Sequence, residues 1–217
     1  MPAGAVVARL EFVRPADRND ELRPTPAVRF LDLPIRRFVM IDGDGPPAES
    51  SLAARMPGLY ATAYGLRFAL KARRIVERVG PLEGIWWNSN GSTSLDEIFG
   101  PGGAASREGW RWTLLIALPD AATDAEIERA VTAARRKLDV TLAPGLRVEA
   151  FVEGLVAQVL HLGPYSAERA TIEQLHAAIA AAGLRPHGRH HELYLGDPRR
   201  SAPDRLKTIL RQPVEPG

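Results

Sequence analysis

"LVAQVLHLGPYSAERATIEQLHAAIAAAGLRPHGRHHELYLG" runs from Leu155 to Gly196, and its hydrophobic period changes twice. Residues 155–162 are rich in branched apolar side chains and read as a strand. From Ser166 the period lengthens. Ile172, Leu175 and Ile179 share one helical face, with Ser166 as the expected N-cap, Glu168 in the first turn and Gly183 as the stop. Residues 188–195 then alternate, with His190, Glu192 and Tyr194 on one face and His191, Leu193 and Leu195 on the other. After the short turn "SAPDR", residues 206–214 give another strand. The unit is strand-helix-strand-strand.

Working outward, the same order occurs in the first half. A strand over 36–42 precedes a helical stretch over 48–76, where Leu59, Thr62, Ala63, Leu66 and Leu70 recur at helical spacing. Pro57 is expected in the first turn, so that the regular helix runs over 57–76. Strands over 82–88 and 110–118 complete this unit. Between the units, "DAATDAEIERAVTAARRKL" reads as an amphipathic helix capped at Thr123 or Asp124, and "LRVEAFVEGLVAQVLHLG" as two strands broken near Glu153 and Gly154. The repeat is one of element order, because identity between the halves is low.

The expected fold class is therefore α+β: a tandem pair of strand-helix-strand-strand modules whose antiparallel sheets enclose a central ligand cleft. One module covers about 34–120, the other about 154–215, with a connecting helix and strand over 121–153, all within a domain of residues 28–217. Residues 1–27, polar and proline-punctuated over 14–27, are expected to form a loose N-terminal arm, and the glycine-rich 90–108 a mobile loop.

The 217 residues are 45% hydrophobic and 25% charged, the balance of a soluble globular chain. No apolar run approaches the ~18 residues of a membrane span, and the start lacks a signal peptide's apolar core. A cytoplasmic protein with no membrane partner is expected, as a monomer or homodimer. The absence of cysteine removes disulfides, thiolate nucleophiles and thiolate metal sites. The formal charge is only +2, the lysines are just Lys71, Lys137 and Lys207, and the arginines are scattered, so no nucleic-acid partner is signalled.

His190 and His191 point to opposite faces of a strand and cannot chelate one ion together; no HxH or HExxH pattern occurs. No metal or other cofactor is expected. Phosphate-loop, dinucleotide and nucleophile-elbow motifs are also lacking. The better candidate is Glu192, which shares a strand face with Tyr194. If that face lines the cleft, desolvation makes Glu192 a stronger base, and Tyr194 can donate a hydrogen bond. An exposed strand glutamate beside a half-buried tyrosine is the commonplace alternative.

Trp86, Trp87, Trp110 and Trp112 crowd two strands, more flat ring surface than a core needs. Trp86 and Trp87 point opposite ways, so one faces the core and the other the cleft. Tyr60 and Tyr64 share a helix face. Glu83 occupies a place in module one like that of Glu192, or simply a strand edge. Tyr165 precedes the second helix, with turn geometry as its plain alternative.

"PLEGIWW" (81–87), "HLGPYSAERATIEQLHAAI" (161–179) and "HHELYLGDPRRSAPDRLKTILRQPV" (190–214) resemble the GyrI-like small-molecule-binding family; "FVMIDGDG" (38–45) and "MPGLYATAYGLRFALK" (56–71) fit it too. The resemblance spans roughly 28–215. It implies tandem modules around an aromatic-lined cleft, as in drug-sensing domains of multidrug transcription regulators, where a buried glutamate attracts cationic aromatic ligands. A stand-alone branch with "PLEG-x-W" and "E-x-Y-L-x-D" motifs includes hydrolases of cyclopropanoid toxins. The chain shows no helix-turn-helix pattern, so a complete regulator is not expected.

On this resemblance Glu192 and Tyr194 are the expected catalytic pair, and Trp86, Trp87, Trp112, Tyr60, Tyr64 and Tyr165 the expected ligand-binding residues. The expected partner is a small planar aromatic or cationic molecule, hydrolysed by Glu-assisted water attack on a strained ring. The alternatives are a non-catalytic drug-binding or sequestering module and a gyrase-directed interaction.

Overall fold

The structure, a computed structural model, describes residues 10–45, 48–89 and 109–217; the expected loop at 90–108 lies outside them. The strands are β1 (Arg29–Leu33), β2 (Arg36–Asp44), β3 (Leu82–Asn88), β4 (Trp110–Ala117), β5 (Arg147–Phe151), β6 (Gly154–Leu162), β7 (Leu184–Pro186), β8 (His190–Tyr194) and β9 (Lys207–Pro216). The helices are α1 (Arg18–Glu21), α2 (Glu49–Ala72), α3 (Asp124–Arg135) and α4 (Glu168–Ala181).

The named strands pair antiparallel, in the order β1-β6-β9-β8-β3-β4-β2-β5, with β7 added on β9. The α+β tandem is thus present as one sheet. Module one contributes β2-β4-β3 and module two β6-β9-β8, and they meet edge to edge at β3 and β8, where Gly84 lies opposite Glu192.

The sheet has to curl. Six strand spacings separate β1 from β2 in the sheet order, about 29 Å if flat. Only Pro34 and Ile35 link the same two strands, a reach of about 11 Å from Leu33 to Arg36. Consistent with curling, Leu33 faces Gly154 and Arg36 faces Phe151, so that 29–40 and 147–158 pair in one unbroken register across both breaks.

The register sorts the side chains. On the outer face, Leu59 and Leu66 of α2 pack with Val39, Ile41, Leu114 and Ile116, whereas Ile172, Leu175 and Ile179 of α4 pack with Ala157, Val159 and Leu210. Both helices cover this face, each over its own module.

The inner face, without those helices, is nonetheless buried, and part of it is ionic. The fully buried Arg211 reaches Glu21 (2.9 Å), Glu153 (2.6 Å) and the Gln158 carbonyl (2.9 Å). His191 lies between Glu153 (2.8 Å) and Glu83 (3.1 Å). Arg18 pairs with both Glu21 and Glu83, and Arg36 with Glu21 (3.1 Å).

Over residues 10–27 this network holds down part of the expected loose arm; residues 1–9 lie outside the described residues. Val13 pairs with Leu31, the Asp17 side chain caps α1, and Glu21 is delivered 1% exposed onto Arg211. A chain segment that satisfies a buried cation is held down.

Two helix details also differ. Helix α2 begins at Glu49 and carries Pro57 in its interior. The carbonyl that loses its partner belongs to Ala53, and both residues are exposed, so water can take the lost bond. Helix α4 is entered from a 3-10 turn, Tyr165–Ala167, and its N-cap is Ala167 rather than Ser166. Thr123 does cap α3, in a reciprocal capping box with Glu126.

Arg211→Met leaves Glu21 and Glu153 buried with too few cations. Urea unfolding should show a loss of about 3–5 kcal/mol. Burial disfavours the His191 imidazolium, but the Glu153 and Glu83 carboxylates hold it up to about 9. Its contribution, about 3 kcal/mol, is complete below the ordinary value of 6.5 and is lost as pH rises through about 9. Burial disfavours the Glu153 carboxylate, but His191 and Arg211 hold it down to about 2, so its share is complete above 4.5 and lost as pH falls through about 2. Urea midpoints should therefore fall between pH about 6 and about 10 in the wild type, and fall less steeply over that range in His191→Gln.

Candidate functional site

Strand β8 presents both faces to buried surroundings. His191 and Leu193 turn inward, while His190, Glu192 and Tyr194 turn outward, into the seam between the α2 core and the α4 core. Opposite them on β3 stand Trp86, Gly84 and Leu82.

The polar side chains form a directed chain. The Trp86 indole N–H donates to the Tyr194 oxygen (3.1 Å), and the Tyr194 hydroxyl donates to Glu192 (2.8 Å). Glu192 is 8% exposed, and His190 Nε2 stands 3.4 Å from its other oxygen. Burial and the Glu192 charge push the Tyr194 phenol well above its ordinary value, so it acts as a donor and not as a phenolate.

Gly84 makes this arrangement sterically possible. A Cβ there would lie 2.8 Å from the Trp86 indole nitrogen and 2.9 Å from the Tyr194 oxygen. The glycine of "PLEG" is therefore the floor over which the two side chains meet.

Tyr165 packs edge-on against Tyr194, with ring centroids 5.7 Å apart, and is 41% exposed. Burial, then Glu168 and Glu192, raise its phenol. Tyr60 is half-buried, and burial and then the charge of Asp197, in the loop after β8, raise its phenol. Tyr64 stacks on Tyr60 at 6.4 Å but is itself exposed.

Of the expected residues, the structure brings Glu192, Tyr194, Trp86 and Tyr165 together, with Tyr60 and Tyr64 on the adjoining helix. It does not bring Trp87, and Trp112, although its ring packs against Trp86 at 6.1 Å, stays in the core. Trp87 occupies the opposite sheet face, stacked under Arg189 at 3.8 Å. Trp112 is fully buried, its indole across Gly43 and its N–H on the Gly45 carbonyl. Glu83 is not a counterpart of Glu192; it faces inward, in the ionic network.

Two residues join the site without having been expected there. His190 stands beside Glu192, though its neighbour His191 belongs to the inner face. Glu168 is 3% exposed; burial and then the Glu192 charge push its carboxyl up to about 9. A signal for Glu168 existed: one turn before Ile172, it continues the buried helix stripe.

Among the described residues no group of three or more His, Asp or Glu side chains could hold a metal ion. No helix among them is long and apolar enough to cross a membrane. A cavity of about 10 Å³ bounded by Glu21, Arg36, Phe151 and Glu153 lies on the inner face, with room for no more than one water.

Residues 114–214 match the model of the GyrI-like small molecule binding domain. A conserved protein from Listeria innocua is 31% identical over 91% of this chain and 97% of its own, with a TM-score of 0.77. A hydrolase from Listeria innocua is 28% identical over 94% of this chain and 100% of its own, with a TM-score of 0.75. The EcmrR C-terminal domain, 11% identical over 88% of this chain and 98% of its own at a TM-score of 0.53, shares the fold alone. No curated protein matches in sequence.

Gly84→Ala should displace Tyr194 or Trp86 and cost about 1–3 kcal/mol. Thermal unfolding checks the loss, and tryptophan emission should shift as the Trp86 N–H loses its partner. An unshifted spectrum with full stability would contradict the packing.

Proposed function

The chain belongs to the GyrI-like small-molecule-binding family, and on that footing we propose that its cleft takes planar lipophilic molecules and hydrolyses a strained electrophilic ring of cyclopropanoid type. The observation that carries this reading is the buried Trp86–Tyr194–Glu192 chain on the outer face between the two helices. The likeness to a hydrolase over nearly the whole chain adds support.

Tyr194 has one proton, which it gives to Glu192 in this structure. A ligand carbonyl that takes that hydrogen bond frees the Glu192 oxygen for a water molecule. Water then forms a C–O bond to the ring carbon as Glu192 removes its proton. The ring C–C bond breaks, and its electron pair passes through the conjugated system to the carbonyl oxygen, which Tyr194 stabilises. Protonation of that oxygen by Glu192 closes the cycle. Relief of ring strain drives the reaction, and no cofactor takes part. Trp86 and Tyr165 would hold the planar body, with Tyr60 and Tyr64 beside the opening.

The second reading is a non-catalytic binding module for lipophilic cations, favoured by a second buried acid, Glu168, beside Glu192. Mass spectrometry of a cyclopropanoid alkylator incubated with the protein separates the two. The hydrolase reading expects accelerated ring opening, lowered about 10²–10⁴-fold in Glu192→Gln. Equal rates for wild type and variant, or no acceleration, would leave the binding module.

A further inference from the structure

Glu168 is a buried acid that the hydrolytic cycle does not use. It sits in the first turn of α4, 3% exposed, and its Oε1 is buried with no hydrogen-bond partner. Thr208 of β9 lies beside it, directly across from Tyr194 in the ladder. The groups around it come from four elements: Glu192, Tyr194 and His190 of β8, Thr208 of β9, Tyr165 of the turn before α4, and Asp197 of the loop after β8, which acts on Tyr165. The charge acting on Glu168 is that of Glu192, whereas the imidazole of His190 stands against Glu192.

Two carboxylates withdrawn from water and close enough to act on one another cannot both stay charged at ordinary pH, and the one with a buried oxygen that no hydrogen bond matches, Glu168, keeps a proton. The α4 N-terminus favours the charged form, but by only about 0.3–1 kcal/mol. Thr208 also favours it, and burial and Glu192 outweigh both. The inner face makes the contrast clear. There Glu153, its side chain only 5% exposed, is ionised, because Arg211 and His191 contact it directly.

We propose that Glu168 and Glu192 form one proton-sharing acid pair in the ligand cleft, in which Glu168 keeps a proton while the cleft is empty and releases it when a cationic ligand binds. This rests on the outer seam being the ligand site. The released proton passes from the Glu168 carboxyl to solvent, and the cation takes its place between the two acids. A neutral ligand meets the protonated pair and a hydrogen-bond donor; a cation meets two carboxylates. Glu168 thereby sets which ligand charges the cleft accepts, and it makes cation affinity depend on pH.

Two measurements test this. In the ligand-free protein, infrared spectra at neutral pH should show a protonated carboxylic-acid band that disappears in Glu168→Gln. Calorimetric titration with the planar monocation rhodamine 6G, in buffers of different ionisation enthalpy, should show release of about one proton, and affinity should rise roughly tenfold per pH unit below the carboxyl's own midpoint. Glu168→Gln should still bind the dye, with neither buffer nor pH dependence. Dye binding by the wild type with buffer-independent enthalpy, or a missing acid band, would overturn the proton-sharing pair and leave the cleft reading intact. Failure of the dye to bind would overturn both.

Discussion

Arg211 is the cation on which the inner face depends. It is wholly buried on β9, yet it meets Glu21 from the N-terminal helix, Glu153 from the β5–β6 break and Gln158 from β6. Those partners lie 190, 58 and 53 positions away in sequence. One guanidinium thus ties the start of the chain, the closing ladder and the last strand into a single arrangement. A hydrophobic replacement of the whole network would fill the same space at little cost in stability; removing one member alone leaves a charge stranded.

The network also sets the phase of the strand that carries Glu192 and Tyr194. His191 turns inward to Glu153 and Glu83, so its neighbours His190 and Glu192 must turn outward. A slip of one residue would carry Glu192 into the ionic interior and His191 into the outer seam between α2 and α4. The two histidines of "HHELY" therefore do different work. His191 fixes the strand, and His190 stands beside Glu192.

Much of this architecture is legible in the sequence, because it rests on local period. The change from alternation to helical spacing and back marks β6, α4 and β8, and the same order marks module one. The pairing of Glu192 with Tyr194 follows from alternation alone, whereas the choice of Trp86 over Trp87 as their aromatic neighbour needs the register of β3 against β8. What local pattern does not carry is pairing over distance. Glu21 within a polar stretch looks like a solvated charge until Arg211 is placed above it, and Glu83 looks like a strand edge until His191 is placed beside it. Trp112 looks like ligand surface until Gly43 is seen to leave room for its ring. Strand β1 is short, and its partner β6 lies more than a hundred residues away, so within "VRFLDLPIRRFV" it merges with β2.

The two sheet faces use buried acids in opposite ways. Inside, each carboxylate is matched by a guanidinium or imidazolium, and the result is rigidity. Outside, Glu192 is held by a phenol while an oxygen of Glu168 is buried with no hydrogen-bond partner, and unmatched acid is what a polar or cationic ligand would seek. The most direct measurement is a crystal structure of the protein soaked with a planar aromatic ligand. The account predicts the ligand in the seam between α2 and α4, against Trp86 and Tyr165, with a polar atom in hydrogen-bond reach of Tyr194 or Glu192. A ligand bound elsewhere, with the Tyr194–Glu192 hydrogen bond intact, would contradict it.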